Sequence, residues 1–320
     1  MSPGGKGRIA VGISSCLVGL KVRHDGSHKE DRFITGTLGR YFRWVPVCPE
    51  VEYGLPVPRE AMRLVGDPSA PRLLSSRTRA DHTGGMLRWA GRRLEELEAE
   101  DLSGFIFKSR SPSSGLRGVR VHTPAGTPGA RGFGLFGRAF TERFPLIPAE
   151  DDGRLHNPAL RENFIERVFM YRRLMDFARS PWRLGDLVAL HTEMKLLVLA
   201  HSPAHYRELG RLVAEARKFR RADLIFRYLR LSMEGLSLLA TAKKNANVLM
   251  HMAGYFKKLI SPDEKAELLG VIEDYRRGLL PLAVPVALVR HYVRKFGEPY
   301  LSRQIYLNPH PAELMLRNHA

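Results

Sequence analysis

The hydrophobic pattern of this chain changes near Pro145, and the change limits the kinds of fold that its 320 residues can adopt. Before that point, short apolar runs alternate with polar or helical stretches, whereas beyond it nearly every segment repeats its apolar residues with a helical period. We therefore predict an α/β N-terminal domain with a mostly parallel sheet, followed by an all-α helical C-terminal domain. The predicted domains are residues 1–146 and 183–320, joined by a linker and connecting helix over 147–182.

Strands of the first domain are predicted from continuous apolar runs, which are typical of parallel strands that are buried on both faces. They lie at 8–13, 43–47, 104–108 and, with a weaker pattern, 118–122. A helix is predicted over about 81–100, and the segment 123–132, rich in glycine and proline, is predicted to be a loop.

In the second half, helices are predicted between junctions that contain proline, and the Ser-Pro pairs at several of these junctions are typical N-caps. The predicted helices cover 163–179, 183–202, 204–216, 222–241, 243–259, 262–277 and 284–296. No internal repeat and no low-complexity tract is visible in the sequence.

Membrane and secretory segments are not predicted. The sequence has no run of about 18 apolar residues, and its start lacks the apolar core of a secretory signal. Two cysteines in 320 residues do not make a disulfide framework. We therefore expect a cytoplasmic protein in a reducing compartment, without a membrane partner, and the sequence does not predict its oligomeric state.

The net charge of +18, with a sequence pI near 10.3, indicates a polyanionic partner. Residues 1–150 contain 23 basic and 15 acidic side chains, and residues 151–320 contain 28 and 18. Because the excess extends over both halves, it suits a partner that contacts both domains, and nucleic acid is the obvious one. The alternative is an ordinary basic, solvated surface, since no zinc finger or RNP motif is present.

Three loops follow the three strong strand predictions, at 14–29, 48–66 and 109–118. In a parallel α/β sheet, loops that leave the carboxyl ends of neighbouring strands converge on one edge, where ligands bind. Both cysteines of the chain, Cys16 and Cys48, lie at the start of the first two loops. This coincidence predicts a functional site at that edge of the sheet.

The residues alone do not determine the chemistry of the two cysteines. Beside cations such as Arg23 and Lys108, they could be thiols of low pKa. They could also be metal ligands, although their spacing is not a CxxC zinc pattern, or buried cysteines that act as small apolar residues. His24 and His28 could add ligands, but as loop residues beside Asp25 they are predicted to make polar contacts.

The three loops with their strands resemble the signature segments of the thiouracil desulfidase family. The segments are SSCLVGLKVRHDGSHK, VPVCPEVEYGLPVPREAMRLVG and FIFKSRSPSSG, and the resemblance covers about residues 8–146. Over about 183–319 the chain is similar to a separate domain of unknown function, through segments such as LVALHTEMKLLVLAHSPAHYRELGRLVA. The two domains in this order resemble the tRNA 4-thiouridine desulfidases, which remove sulfur from the thiolated uridine of tRNA.

The resemblance implies a 4Fe–4S cluster held by three cysteines, with one iron open for the substrate sulfur, and thiolates suit iron clusters. Cys16 and Cys48 match the first two ligands. The family pattern SPSCG puts the third ligand at position 114, where this chain has Ser114. A hydroxyl is a harder and far less acidic ligand than a thiol, so we expect weak or incomplete binding of the cluster.

The resemblance also implies roles for two catalytic residues. Glu50 would activate a water that attacks the thiocarbonyl carbon, and Ser111 would assist proton transfer to the pyrimidine. From the residues alone, Glu50 could instead pair with Arg59 or Arg110, and Ser111 could be an ordinary N-cap before a proline. The predicted substrate-binding residues of the same loops are Arg23, Asp25, Lys108 and Arg110.

Basic residues recur on the predicted helices of the second half, with tyrosines nearby, and together they predict a domain that docks tRNA. The predicted tRNA-binding residues are Lys243, Lys244, Lys257, Lys258, Arg290 and Arg294. Any one of these basic residues could belong to an ordinary solvated helix surface. The prediction therefore depends on how many of them occur together on the helices.

The predicted function is iron–sulfur-dependent conversion of 4-thiouridine in tRNA to uridine. Ser114, in place of the third cysteine, is expected to impair this activity. The alternative is a tRNA-binding protein of the same fold that lacks an intact cluster and has no desulfidase activity. A hydrolase with Ser111 or Ser114 as its nucleophile is a third class, which no GxSxG motif supports.

Overall fold

The computed structural model describes residues 7–318 and shows two compact units, which divide between His156 and Asn157. The first unit ends later than the predicted 146 because Ala149–Asp151 adds a strand to its sheet. The second unit starts earlier than the predicted 183, with the helix Pro158–Arg179. The segment 147–182, expected to be a linker and connecting helix, therefore contains the last strand of the first unit as well as the first helix of the second.

The first unit has eight strands among its described residues, and they form two sheets. The strands are β1 (Ile9–Ser14), β2 (Phe42–Val47), β3 (Met62–Val65), β4 (Arg72–Ser75), β5 (Phe105–Phe107), β6 (Val119–His122), β7 (Pro128–Gly132) and β8 (Ala149–Asp151). One sheet has the order β2-β1-β5-β8 and all its strands are parallel. The predicted α/β class and parallel sheet are thus confirmed.

The second sheet, in the order β4-β3-β6-β7, is mixed: β3 and β6 are parallel, while the two outer pairs are antiparallel. The prediction of a loop throughout 123–132 is wrong, because Pro128–Gly132 pairs with β6 in a hairpin. The sequence PGARG has no alternating apolar residues, so the partner strand and not the local pattern determines its conformation. Strands β3 and β4 were not predicted either.

Among the described residues of this unit, three α-helices accompany the sheets: α1 (Pro49–Glu52), α2 (Thr83–Ala99) and α3 (Leu135–Arg143). Helices α2 and α3 bury apolar faces in one core with the strands, and the rings of Phe105, Phe107 and Phe140 contact one another there. A Cβ atom at Gly12 would overlap the ring of Phe105. Glycine in β1 therefore lets the phenylalanine of the adjacent strand pack against the backbone.

The second unit is helical, which confirms the predicted all-α character of the C-terminal half. Its α-helices are α4 (Pro158–Arg179), α5 (Leu184–His201), α6 (Pro203–Ala214), α7 (Arg221–Ser237), α8 (Ala242–Ala253), α9 (Pro262–Arg276), α10 (Ala283–Phe296) and α11 (Pro299–Ser302). Two predicted Ser-Pro caps are present, because Ser202 and Ser261 accept hydrogen bonds from backbone N–H groups at the starts of α6 and α9. Over residues 7–318, no helix is long and apolar enough to cross a bilayer.

Candidate active site

Three loops converge at the carboxyl edge of the parallel sheet, as predicted. Strands β2, β1 and β5 are adjacent and parallel, so the segments that follow them leave the same edge. Together they line a cavity of about 270 Å³, which we call the sheet-edge cavity. Its lining includes the residues to which the sequence assigned chemistry: Cys16, Arg23, Cys48, Glu50, Lys108, Arg110, Ser111 and Ser114.

The two cysteines lie where their strands end. Cys16 lies in the short helical turn after β1, and Cys48 is the N-cap residue of α1 directly after β2. Burial raises the pKa of Cys16 to about 11 and that of Cys48 to about 12, although Lys108 and Arg59 act in the opposite direction. The suggestion that these are thiols of low pKa is therefore wrong. Metal ligation and burial as small apolar residues both remain compatible with the structure.

Glu50 presents its carboxylate to the same cavity and has three partners. Its Oε1 atom accepts a hydrogen bond of 2.5 Å from Ser113 Oγ, and its Oε2 atom lies 3.5 Å from Cys48 Sγ. Arg59 Nη2 lies 3.8 Å from Oε2, with the side chains of Arg59 and Glu50 only 6% and 14% exposed. The expected pairing with Arg59 is therefore present, and it orients the carboxylate without removing it from the cavity.

The segment Ser111–Gly115 forms a single turn. Gly115 N donates to Ser111 O at 2.8 Å, and Ser114 N donates to Ser111 Oγ at 3.2 Å. The expectation that Ser111 begins a helix is wrong, because the next helix along the chain starts only at Leu135. Ser111 nevertheless caps the turn with its hydroxyl, which also lines the cavity.

The beginning of α3 packs directly on this turn and holds it in place. Gly134 N donates to Gly115 O at 2.8 Å, and Phe136 N donates to Ser113 O at 2.7 Å. A Cβ atom at Gly134 would lie 2.8 Å from Ser114 N, which is closer than real Cβ contacts allow. The absence of a side chain at Gly134 is therefore what lets α3 approach the turn and fix its hydroxyl-bearing residues.

Ser113 connects two groups of the site, and sequence reasoning did not single it out. It is fully buried and outside the cavity lining, yet its Oγ donates to Glu50 and lies 2.9 Å from Ser111 Oγ. The bond to Glu50 joins residues 63 positions apart in the sequence. Its only sequence signal was its place in SPSSG, two residues after Ser111 on the same turn.

The predicted substrate-binding cations differ in their partners. Lys108 Nζ donates to Asp152 Oδ2 at 2.7 Å, and this aspartate, also missed by the sequence, accepts from Ser109 N as well. Arg23 lines the cavity and lies 3.7 Å from Asp25, which is exposed and outside the lining. Hydrogen bonds from Ser27, chiefly from its hydroxyl, lower the pKa of Asp25 to about 2. Arg110 is exposed and lines the cavity.

The predicted tRNA-binding residues all belong to the second unit, and two of them bind its own backbone. Lys244 Nζ donates to His201 O at 2.7 Å, and Arg290 donates to Leu307 O. The side chains of the other four are exposed on α8, after it, or on α10: Lys243, Lys257, Lys258 and Arg294.

Comparison with known proteins bears on both units. Residues 11–152 match the family model of 2-thiouracil desulfurase, and residues 195–311 match that of a protein of unknown function, DUF1722. The uncharacterized protein YbgA of Escherichia coli (strain K12) is 33% identical over 153 residues, which are 48% of this chain and 90% of YbgA. The chain belongs to the family of YbgA.

One solved structure is similar to part of the chain. The protein is described as the 4Fe–4S-dependent thiouracil desulfidase TudS, and it is 28% identical with a TM-score of 0.38. The match covers 49% of this chain and 98% of TudS.

The side chains of the sheet-edge cavity do not complete the ligand set of a cluster held by three thiolates. Cys16 and Cys48 supply two thiols, and these are the only cysteines of the sequence. Ser114, which stands where the resemblance predicts the third ligand, is 4% exposed and lines the same cavity. Within residues 7–318, no group of three or more His, Cys, Asp or Glu side chains is arranged to hold a metal ion. A three-thiolate cluster therefore does not fit this chain.

Proposed function

We propose that this protein is a desulfidase that converts 4-thiouridine in tRNA to uridine by hydrolysis in the sheet-edge cavity. One observation carries the proposal: the Glu50 carboxylate and the Ser111 hydroxyl face one cavity and are connected through Ser113. The match of residues 11–152 to the 2-thiouracil desulfurase family supports the reaction class.

In the proposed reaction, Glu50 takes a proton from a water molecule, and the water oxygen attacks the thiocarbonyl carbon of the base. A C–O bond forms, the C–S bond breaks, and the departing sulfur receives the proton taken up by Glu50. The second proton of the water leaves the new C–OH group as this becomes the carbonyl, and it also goes to the sulfur. The proton travels from Glu50 through Ser113 to Ser111, which lines the cavity. One water is consumed and the products are uridine and hydrogen sulfide, so no oxidant or reductant is required.

The cations of the cavity provide the binding site for the nucleotide. Arg110 and Arg23 contact the phosphates of the nucleotide, with Asp25 orienting Arg23 through their 3.7 Å ion pair. Lys108 is held by Asp152 and therefore donates to the base from a fixed position. On the second unit, the exposed cations Lys243, Lys257, Lys258 and Arg294 bind the tRNA backbone, consistent with the net charge of +18.

A second candidate function is tRNA binding without desulfuration. Ser114 in place of the third thiol favours it, because a hydroxyl is a far poorer ligand for iron than a thiolate. If the chemistry of the family depends on a cluster that this chain does not complete, the cavity would still bind a thiolated base but leave it unchanged.

The two functions are separated by incubating the full chain with tRNA that contains 4-thiouridine. Loss of the near-ultraviolet absorbance of 4-thiouridine with release of sulfide supports hydrolysis. Salt-sensitive binding without either signal supports the second candidate.

The same assay is repeated after anaerobic incubation with iron and sulfide, for the unmodified chain and for Ser114→Cys. We expect the variant to acquire about four irons per chain and a broad visible absorbance, because it has three thiols at the cavity. Ser109→Cys is the matched control, since residue 109 lines the same cavity but is not the position of the third ligand. Equal iron contents in the unmodified chain and Ser114→Cys would contradict the assignment of position 114.

A further inference from the structure

One tyrosine of the second unit is exposed, although several others are buried. Tyr255, in the helical turn Gly254–Phe256 that follows α8, is 47% exposed. Its buried counterparts are at most 8% exposed: Tyr228, Tyr275, Tyr292 and Tyr306. A tyrosine ring that stays at the surface keeps a flat apolar face for contact with a partner.

The ring of Tyr255 is held in place by a second tyrosine. Its centre lies 5.1 Å from the centre of the Tyr300 ring, and the two ring planes differ by 16°, so the rings are stacked. Tyr300, in α11, is half-buried, and Lys195 Nζ of α5 lies 5.1 Å from the centre of its ring. Tyr300 thus fixes the orientation of the Tyr255 ring, and we call these two rings the tyrosine platform.

The backbone that carries Tyr255 is fixed as well. Phe256, its neighbour, is fully buried, and the centre of its ring lies 5.7 Å from that of Tyr292. Leu259 N and Ile260 N both donate to Phe256 O, at 2.8 and 3.1 Å, and close the turn after the platform. Because this segment is ordered before any ligand binds, a ligand that stacks on Tyr255 loses little affinity to ordering its site.

Two cations follow the exposed ring in the sequence. Lys257 and Lys258 are both exposed, and among the described residues neither has a carboxylate within ion-pair distance. Lys295 of α10, by contrast, has its Nζ atom 2.7 Å from Glu264 Oε1. The positive charge beside the platform is therefore available to an anionic ligand such as a phosphate group.

We infer that the exposed face of Tyr255 is a stacking site for an unpaired base of RNA, with Lys257 and Lys258 at the phosphates that flank it. An unpaired nucleotide combines a flat π face with adjacent phosphates, and an aromatic ring beside cations binds this combination. A base inside a duplex presents no open face, so the site distinguishes single strands and loops from paired RNA. The inference rests on the proposed function only for the identity of the RNA, as an unpaired region of the tRNA substrate.

Another exposed ring of the unit lacks this arrangement. Phe226 of α7 is 59% exposed, but the arginines beside it have partners of their own. The guanidinium of Arg227 lies 4.8 Å from the centre of the Phe219 ring, and Arg230 Nε lies 3.8 Å from Glu234 Oε1. Phe226 therefore provides the matched control, an exposed ring whose neighbouring cations are already occupied.

The test measures, by fluorescence anisotropy, binding of the full chain to a labelled oligouridylate of about 12 nucleotides and to an RNA duplex of the same length. We expect Tyr255→Leu to weaken binding of the single strand about tenfold and to leave binding of the duplex unchanged. Tyr255→Phe keeps the ring and should bind both RNAs like the unmodified chain. Phe226→Leu, the matched control, should do the same.

Salt dependence separates the ring from the lysines. Stacking releases no counterions, so Tyr255→Leu should keep the slope of log affinity against log salt concentration. The double variant Lys257→Met, Lys258→Met should reduce this slope for the single strand by about 1.4, since each lost phosphate contact accounts for about 0.7. An unchanged slope in the double variant would contradict the role of the lysines.

Equal losses for the strand and the duplex in Tyr255→Leu would indicate a structural role and overturn the inference. An unchanged affinity, or an equal loss in Phe226→Leu, would overturn it too. Absence of RNA binding by the unmodified chain would overturn both the inference and the proposed binding of tRNA. Binding that depends on Tyr255 without any desulfuration would support the inference and contradict only the proposed chemistry. Glu50→Gln should likewise stop desulfuration without changing the affinity for the single strand.

Discussion

The sheet-edge cavity and a second cavity of about 230 Å³, which α4, α5, α8, α9 and Arg317 line and which we call the helical cavity, hold their polar groups in different ways. In the first, thiols, hydroxyls and a carboxylate come from short loops directly after parallel strands, and a hydrogen bond from the Ser113 hydroxyl orients Glu50. In the second, side chains from distant helices and the C-terminal segment form an ion network around Arg317. The groups of the sheet-edge cavity suit the proton transfer that we propose, whereas those of the helical cavity form a buried ion network.

Burial shifts the pKa values of titratable groups in both cavities, and neighbouring charges determine whether each pKa finally rises or falls. Nearby cations do not cancel the effect of burial on Cys16 and Cys48, whose pKa values stay well above the ordinary range. In the helical cavity, His201 and Arg317 outweigh burial and lower the pKa of Glu166, whereas burial outweighs Arg317 at Glu162 and raises its pKa. A buried group is therefore ionised only where partners are close enough to replace water.

Loss of the carboxylate at Glu50 should have the largest effect. In Glu50→Gln we expect desulfuration to fall by a factor of about 10² to 10⁴, because an amide cannot act as a general base. The measurement is the initial rate of 4-thiouridine loss from tRNA, together with tRNA affinity, which should change little. The control is Glu60→Gln, which lines the same cavity but bonds to the backbone at Arg77 and Thr78. Equal rates in the two variants would refute the role of Glu50.

Removing Arg317 should destabilise the second unit without touching the chemistry of the first. In Arg317→Met the two carboxylates lose their buried cation, and we expect the free energy of unfolding to fall by about 3–5 kcal/mol. Denaturant unfolding followed by circular dichroism at helical wavelengths measures it. Arg294→Met, which removes an exposed guanidinium, is the control and should unfold like the unmodified chain.

Because Glu162 is buried, we expect the free energy of unfolding to fall as the pH rises. Its pKa rises from 4.5 to about 7 on folding, so the folded state binds the proton more tightly than the unfolded state. The stability from this group is present below about pH 4.5 and is lost as the pH rises to about 7, a change of about 3 kcal/mol. Comparing the unfolding free energies of the unmodified chain and Glu162→Gln across this range isolates the effect. A constant difference between them would rule it out.

The sheet-edge cavity was largely predictable from the sequence, whereas the helical cavity was not. Apolar runs predicted β1, β2 and β5, and the rule that the carboxyl ends of parallel strands share an edge was enough to predict that Cys16 and Cys48 lie together. No comparable rule brings Glu162, His201 and Arg317 together, because their contacts depend on how the helices of the unit pack. Strand β7 was missed for a similar reason, because its sequence has no hydrophobic alternation and its conformation depends on pairing with β6.

Ser113 bonds to Glu50 from outside the lining of the sheet-edge cavity, and its replacement should have the smallest effect of this series. In Ser113→Ala the carboxylate of Glu50 loses a 2.5 Å hydrogen bond and its connection to Ser111. Because Ser113 does not line the cavity, we expect kcat to fall by about tenfold while KM is unchanged. Ser109→Ala removes a hydroxyl that lines the cavity but bonds to Lys108, so there KM should respond more than kcat. An unchanged kcat in Ser113→Ala would show that the proton does not pass through this hydroxyl, and Glu50 would then exchange protons directly with water in the cavity.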